Sequence, residues 1–340
     1  MKSSKGMIIR ADGGLSIGMG HIMRTLVLAD YLKQYLNIVY LCDEDYKEGI
    51  EYLKYREYPV FAYRKDELLH YMLRREENSL LTDSYRIDIN YIKKVRQSFK
   101  VVGYMDDNAL FPYEADYVIN QNFGAEDIPY SVSNACELLL GSHYLLLRSE
   151  FRNGHERHVK EVAKEIMITV GGSDPCNLLD KILGMVYDMD FHFHVVIGIA
   201  FPYENEVINK YKHLNNLSFY KQPDMAKLMR TCDMAITSCG STLYELGACT
   251  TSAIGISVAD NQVSLSERMN GQGLIVYLGT IDTLNKDILR KNIMTLAHDQ
   301  VKRAHMKQLN EQMLNKDGVA ITAAKILSKM GIEIKKVKST

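Results

Sequence analysis

The sequence predicts an α/β protein built from two doubly wound parallel sheets. Three observations carry this. Strand-like apolar runs alternate with helical patterns nearly throughout, the runs fall into two sets of about six, and a polar run from Phe151 to Lys160 separates the sets. Such alternation implies βαβ units with helices on both sheet faces. A closed eight-stranded barrel is the competing arrangement, and twelve strands fit it poorly.

In the first half, Met7-Ile8-Ile9 predicts a strand over residues 6–11. Ile22, Leu26, Ala29 and Leu32, three or four apart, predict a helix over 20–35. Strands are then predicted near 37–42, 58–62, 79–83, 100–105 and 116–120, with a helix over 88–98. The second half repeats the pattern, with strands near 165–170, 192–198, 217–220, 233–237, 252–257 and 274–277. Helices are predicted over 177–187, 223–231, 242–248 and 263–271, and the stretch 281–330 reads as helical. The expected domains are 1–150 and 151–330, with the last helices able to cross back to the first. The basic run at 335–338 reads as a frayed terminus.

Composition narrows the functional classes. Hydrophobic residues make up 46% and charged residues 24% of the 340, which fits a folded chain and not a disordered one. The formal net charge of −1 gives no electrostatic footprint for nucleic acid. No apolar run approaches the ~20 residues of a membrane span. The amino-terminal segment lacks a secretory core, so a cytoplasmic location is expected. The six cysteines (42, 136, 176, 232, 239 and 249) form no Cys-x-x-Cys pair and no Cys/His zinc spacing, and are read as free thiols. Neither a metal nor another cofactor is expected.

Residues 10–25 hold the densest signal. A strand, a turn with glycines at 13, 14, 18 and 20, and a helix start meet there. Glycines let the backbone approach a ligand, and a helix start favours an anion. His21 lies in or just before the first helical turn, and Arg24 follows one turn later. An imidazole in that place could work as acid or base near neutral pH. Polar residues end the neighbouring strands: Asp83 with Ser84-Tyr85, Asp106-Asp107, and Asn120-Gln121-Asn122. They could ring one cleft with Asp12 and His21, or serve as ordinary turn formers and caps.

Three further loops follow strands of the second half: Gly171-Gly172-Ser173-Asp174, Ser238-Cys239-Gly240-Ser241-Thr242 and Ala259-Asp260-Asn261-Gln262. In open α/β sheets ligands gather at such carboxyl ends, which suggests a phosphate-bearing ligand here. Neither glycine loop is a Walker A sequence or a dinucleotide fingerprint. Thr242-Leu-Tyr-Glu245 also matches a helix capping box, so Glu245 has two readings: a cap, or a carboxylate on the paired hydroxyls of a ribose.

Together these segments resemble a known family. The motifs are Asp12-x5-Gly18-Met-Gly20-His21-x2-Arg24-x3-Leu28-Ala29, Thr82-Asp83-Ser84-Tyr85, Asp106-Asp107, Asn120-Gln-Asn122, Tyr144-Leu-Leu-Leu-Arg148-Ser-Glu-Phe151, Gly171-Gly-Ser-Asp174, Gly240-Ser-Thr-x-x-Glu245 and Asn261-Gln262. They run in order over residues 7 to about 275. The chain resembles the UDP-2,4-diacetamido-2,4,6-trideoxy-β-L-altropyranose hydrolases of pseudaminic acid biosynthesis and the related spore-coat polysaccharide proteins of the G type. The wider group is similar to glycosyltransferases of the B architecture, which implies two Rossmann-like domains facing a cleft. The resemblance implies hydrolysis of a UDP-linked amino-deoxy sugar, with His21 and Asp12 catalytic. Gly18, Gly20, Arg24, Asp83, Tyr85, Asp106, Asn120 and Asn122 are expected to face the sugar. Gly172, Ser173, Gly240, Ser241, Thr242, Glu245, Asn261 and Gln262 are expected to face UDP. A glycosyltransferase of the same fold and a non-catalytic nucleotide-sugar-binding protein are the alternatives.

Overall fold

A computed structural model describes residues 6–64, 67–68, 72, 77–153 and 157–333. The basic run at 335–338 and residues 154–156 of the polar run lie outside the described residues. The chain divides into two compact units, one of residues 1–13, 21–146 and 317–340 and the other of 14–20 and 147–316.

The first unit holds seven strands: β1 (Gly6–Ala11), β2 (Asn37–Asp43), β3 (Val60–Tyr63), β4 (Ser79–Asp83), β5 (Val101–Met105), β6 (Tyr117–Asn120) and β7 (Glu137–Leu140). Their order across the sheet is β3-β2-β1-β4-β5-β6-β7, and every pairing is parallel. Parallel strands are covered on both faces and read as near-continuous apolar runs. Accordingly β1, β4, β5 and β6 are buried at every residue. Ile8, Leu80, Val102 and Val118 lie in one core cluster with Ile92 and Val95 of helix Ile89–Ser98. That helix is started by Asp88, whose carboxylate accepts the Tyr91 N–H.

The second unit holds β8 (Glu165–Thr169), β9 (His192–Ile197), β10 (Leu217–Lys221), β11 (Met234–Ser238), β12 (Ser252–Ser257) and β13 (Val276–Thr280). The order is β10-β9-β8-β11-β12-β13, again parallel throughout. Its core joins Ile166, Ile168, Phe193, Val195, Ile236 and Ile254 to the buried faces of helices Leu178–Val186 and Lys286–His298. Among the described residues thirteen strands form two open sheets, which excludes the closed barrel. The strand that the apolar pattern missed is β7. It has only four residues at a sheet edge, one of them buried, so its alternation is too brief to read.

In both sheets the strand order reverses once, between β1 and β4 in the first and between β8 and β11 in the second. These switch points are where open α/β sheets leave a crevice beyond the carboxyl ends of their strands. Asp12 and the glycine turn follow β1, and Asp83 ends β4. The loops at 171–174 and 239–242 follow β8 and β11. Gly49 sets the exit from β1: its N–H donates to the Gly13 carbonyl at 2.9 Å, and a Cβ there would lie 2.4 Å from that oxygen. The last helix, Gly318–Lys329, groups with the first unit, where Lys325 pairs with Glu137 at 2.6 Å. Among the described residues no helix is long and apolar enough to cross a membrane.

Candidate active site

Helix Gly20–Leu32 starts just past β1, so His21 and Arg24 come off its first turn above the β1–β4 junction. His21 Nδ1 lies 2.6 Å from Asp83 Oδ1. Arg24 grips the same carboxylate with two nitrogens, Nε to Oδ2 and Nη2 to Oδ1, both at 2.6 Å. Its Nη1 donates to both oxygens of Asp107 at 2.9 and 3.0 Å. Tyr85 donates its hydroxyl to Asp107 Oδ2 at 2.6 Å, and Asn122 donates its amide to Oδ1 at 2.8 Å. The Tyr85 ring stands edge-on to His21, 4.7 Å between centroids. Carboxylates from two strand ends thus meet one guanidinium, and Asn122 after a third strand holds one of them.

The electrostatics fix the imidazole tautomer. Burial would raise the Asp83 carboxyl, but Arg24 and His21 more than offset it and hold it at about 2. An ionised carboxylate only accepts hydrogen bonds, so His21 Nδ1 must carry the proton. In the neutral ring the lone pair is then on Nε2. Asp107 is likewise lowered, burial being outweighed by Arg24 and by the Arg24 and Tyr85 hydrogen bonds. Asp12 goes the other way: burial pushes its carboxyl up against the bond from Asp43. Its Oδ1 accepts the Asp43 N–H at 2.8 Å, while buried Oδ2 has no hydrogen-bond partner among the described residues.

Two polar residues singled out by the sequence are turned to local structure. Asp106 accepts the N–H groups of Asn108 and Ala109 and the Tyr113 hydroxyl. Asn120 accepts the Asn122 N–H and donates to Tyr130. Gly18 takes φ of +76°, and its carbonyl accepts the Gly14 N–H at 3.0 Å, closing the turn.

In the second unit the loops after β8, β11 and β12 lie at one end of the sheet. Gly172 and Ser173 precede Asp174, whose carboxylate accepts the Leu178 and Leu179 N–H groups and so occupies the start of that helix. The turn at Gly240 is different. A Cβ on Gly240 would meet nothing within 4 Å, and Ser241, at the cap position of helix Thr242–Ala248, makes no side-chain cap bond. Glu245 is not turned back in a capping box. Its Oε1 accepts from Arg148 Nε at 2.9 Å, and Arg148 also pairs with Glu150. Gln262 accepts the Val258 N–H, and Asn261 stands beside it in the first turn of helix Asp260–Gly271. Cys239 is buried, and burial pushes its thiol up to about 11, which leaves no thiolate near neutrality.

Asp107 was expected only as one of the polar residues at strand ends, and the sequence pattern did not separate it from Asp106. Arg148 stood only in a motif quoted for the family resemblance, and that position was the available signal.

No family model matches the chain. An uncharacterized protein of Methanocaldococcus jannaschii is 31% identical over 255 residues, 70% of this chain and 52% of that protein. The chain therefore spans about half the length of that archaeal relative. The spore coat polysaccharide biosynthesis protein SpsG of Bacillus subtilis is 28% identical over 80% of this chain and 83% of its own. The UDP-2,4-diacetamido-2,4,6-trideoxy-β-L-altropyranose hydrolase of Campylobacter jejuni is 27% identical over 70% of this chain and 86% of its own. Among solved structures, Acinetobacter baumannii MurG superposes with a TM-score of 0.67 at 15% identity, over 95% of this chain and 99% of that one. The calicheamicin glycosyltransferase CalG4 gives 0.63 at 13% identity, over 96% and 98%. The resemblance read from the motifs is borne out, and the fold is the two-domain Rossmann-like architecture of the B-type glycosyltransferases.

Proposed function

We propose that this protein hydrolyses a UDP-linked diacetamido-trideoxy-type sugar to free sugar and UDP, in the biosynthesis of a surface polysaccharide or a nonulosonic acid. The observation that carries the reading is the His21–Asp83–Arg24 arrangement, in which Asp83 holds the imidazole by Nδ1. This leaves Nε2 as the base. The name of the Campylobacter relative supplies the substrate class, and that of the Bacillus relative the polysaccharide pathway.

In this mechanism a water attacks the anomeric carbon and gives its proton to His21 Nε2. The bond from that carbon to the β-phosphate oxygen breaks, and UDP leaves with the electron pair. Asp83 stabilises the imidazolium through Nδ1, as the carboxylate does in the serine-protease triad. Asp12, with a raised carboxyl and a free buried oxygen, is the second group assigned to the water. Gly18, Gly20, Tyr85, Asn122 and the cluster around Arg24 are assigned to the sugar side. The leaving diphosphate is assigned to the Gly240–Thr242 turn with Gly172 and Ser173, and the nucleoside to Glu245, Asn261 and Gln262. Electrostatic stabilisation of the leaving anion is the largest contribution asked of the protein.

The test is mass spectrometry of candidate UDP-sugars incubated with the protein in ¹⁸O water. Free sugar labelled at the anomeric oxygen, with unlabelled UDP, supports the reading. Label in the phosphate would move the cleavage to the P–O bond. A B-type glycosyltransferase is the second reading, favoured by the fold, and it requires an acceptor before UDP is released.

Glu245 gives a separate prediction. A hydrogen bond to a charged group is worth about 1.5–3 kcal/mol. Glu245→Ala is therefore expected to weaken UDP binding by roughly tenfold or more in calorimetry, with a smaller effect on the melting temperature, since Arg148 keeps Glu150 as a partner. Unchanged UDP affinity with a lowered melting temperature would assign Glu245 to holding Arg148 alone.

A further inference from the structure

We propose that Glu165, His192 and His194 form a site for a divalent transition-metal ion of the zinc class, separate from the loops assigned to UDP. In the parallel register Glu165 lies directly beside His192, and His194 follows two residues on. Residues two apart on a strand share a face, and aligned neighbours share it too. The core face of the same strands carries Ile166, Ile168, Phe193 and Val195, so the trio stands on the opposite face. One ligand atom from each lies within 4.8 Å of the others, the one such trio among the described residues.

The donor set is suited to the ion. Two imidazoles and a carboxylate are ordinary zinc ligands at about 2.0–2.2 Å, and three protein ligands leave the fourth position to water. His194 Nε2 and Glu165 Oε2 are already 2.7 Å apart, flanking one point in space. Tetrahedral ligands stand roughly 3.3 Å apart at those bond lengths, so the His194–Glu165 pair opens by about 0.6 Å and partly buried His192 closes by up to about 1.5 Å. The remaining nitrogen of His194, Nδ1, faces the Tyr220 hydroxyl at 2.9 Å, the kind of outer partner that fixes which nitrogen binds. His194 itself is only 8% exposed.

Position assigns the role. Glu165 and His192 are the first residues of β8 and β9, at the amino end of the parallel sheet whose carboxyl end carries the 171–174 loop after β8 and the 239–242 loop after β11. An ion there would pin β8 to β9, with Tyr220 of β10 as outer support, and would act on stability and not on turnover. The inference stands whatever the protein hydrolyses.

The experiment uses the full chain without an affinity tag. Zn²⁺ titrated by calorimetry is expected to bind one to one in the micromolar range or tighter and to raise the melting temperature by mass action. Co²⁺ in its place should give visible d–d bands without thiolate charge transfer. His194→Ala, His192→Ala and Glu165→Gln should each weaken Zn²⁺ binding, and Tyr220→Phe should cost about tenfold. Excess Mg²⁺ should not compete, because imidazole ligands do not suit it. If His194→Ala does not fold, the half-exposed His192→Ala and Glu165→Gln variants decide. No micromolar Zn²⁺ binding, unchanged affinity in these variants, or thiolate bands from Co²⁺ would overturn the site and leave the His194–Glu165 contact as an ion pair alone.

Discussion

Replacing His21 with alanine is expected to lower turnover of the sugar nucleotide by ~10²-fold or more, the usual worth of a positioned general base. UDP binding should survive, because the loops assigned to it belong to the second unit. His21→Asn should fail equally, since an amide cannot take up the proton. Asp83→Asn is the sharper companion. The amide can donate to Nδ1 and so stabilise the tautomer that carries its proton on Nε2. The imidazole would remain near its place with its lone pair turned away from the water, and loss of up to ~10⁴-fold is expected by analogy with the triad aspartate. Steady-state hydrolysis and UDP calorimetry on the same preparations check both. A His21→Ala variant that turns over at near wild-type rate would pass the base role to Asp12, whose buried Oδ2 has no partner among the described residues.

The imidazole was legible because its neighbours are local. A strand, four glycines and a helix start within sixteen residues can be read without a fold, and so can the one-turn spacing of His21 and Arg24. The long apolar runs were legible for the same reason: a parallel strand buried on both faces writes its position into consecutive residues. What joins these pieces was not. Arg24 meets Asp83 and Asp107 only because β4 and β5 follow β1 in the sheet, and strand order is absent from the apolar pattern. Asp106 and Asp107 are adjacent and chemically identical, yet one closes a turn and the other receives Arg24, Tyr85 and Asn122. Alternation along an extended chain separates them, and its phase at a strand end is set by packing. Glu245 makes the point at longer range. Its spacing from Thr242 satisfies a local rule, but Arg148, 97 residues away, takes its carboxylate.

Removing Arg24 is the change expected to cost most in stability. Its side chain is 14% exposed and faces two carboxylates that are 0% and 9% exposed. Taking away one partner of a buried pair leaves an uncompensated charge, at a cost of about 3–5 kcal/mol. Arg24→Met keeps most of the apolar stem and isolates that charge effect. Arg24→Lys should fall between, because a single ammonium cannot reproduce the two-pronged grip on Asp83 while reaching Asp107. The pH dependence identifies the cause. In the wild-type chain Asp83 is held at about 2, below its ordinary value, so its contribution is present above that ordinary value and lost as pH falls toward 2. In Arg24→Met the largest offset to burial is gone and only the His21 and Tyr85 contacts oppose it, so the carboxyls rise and the folded state takes up protons that the unfolded state releases. The deficit should then be largest at about pH 7 and shrink on acidification toward the ordinary carboxyl range, about pH 4, as the buried carboxyls take up protons. Urea midpoints of both proteins at the two pH values measure this. A deficit that stays constant between them would show that Arg24 contributes packing, and that the carboxylates find other compensation.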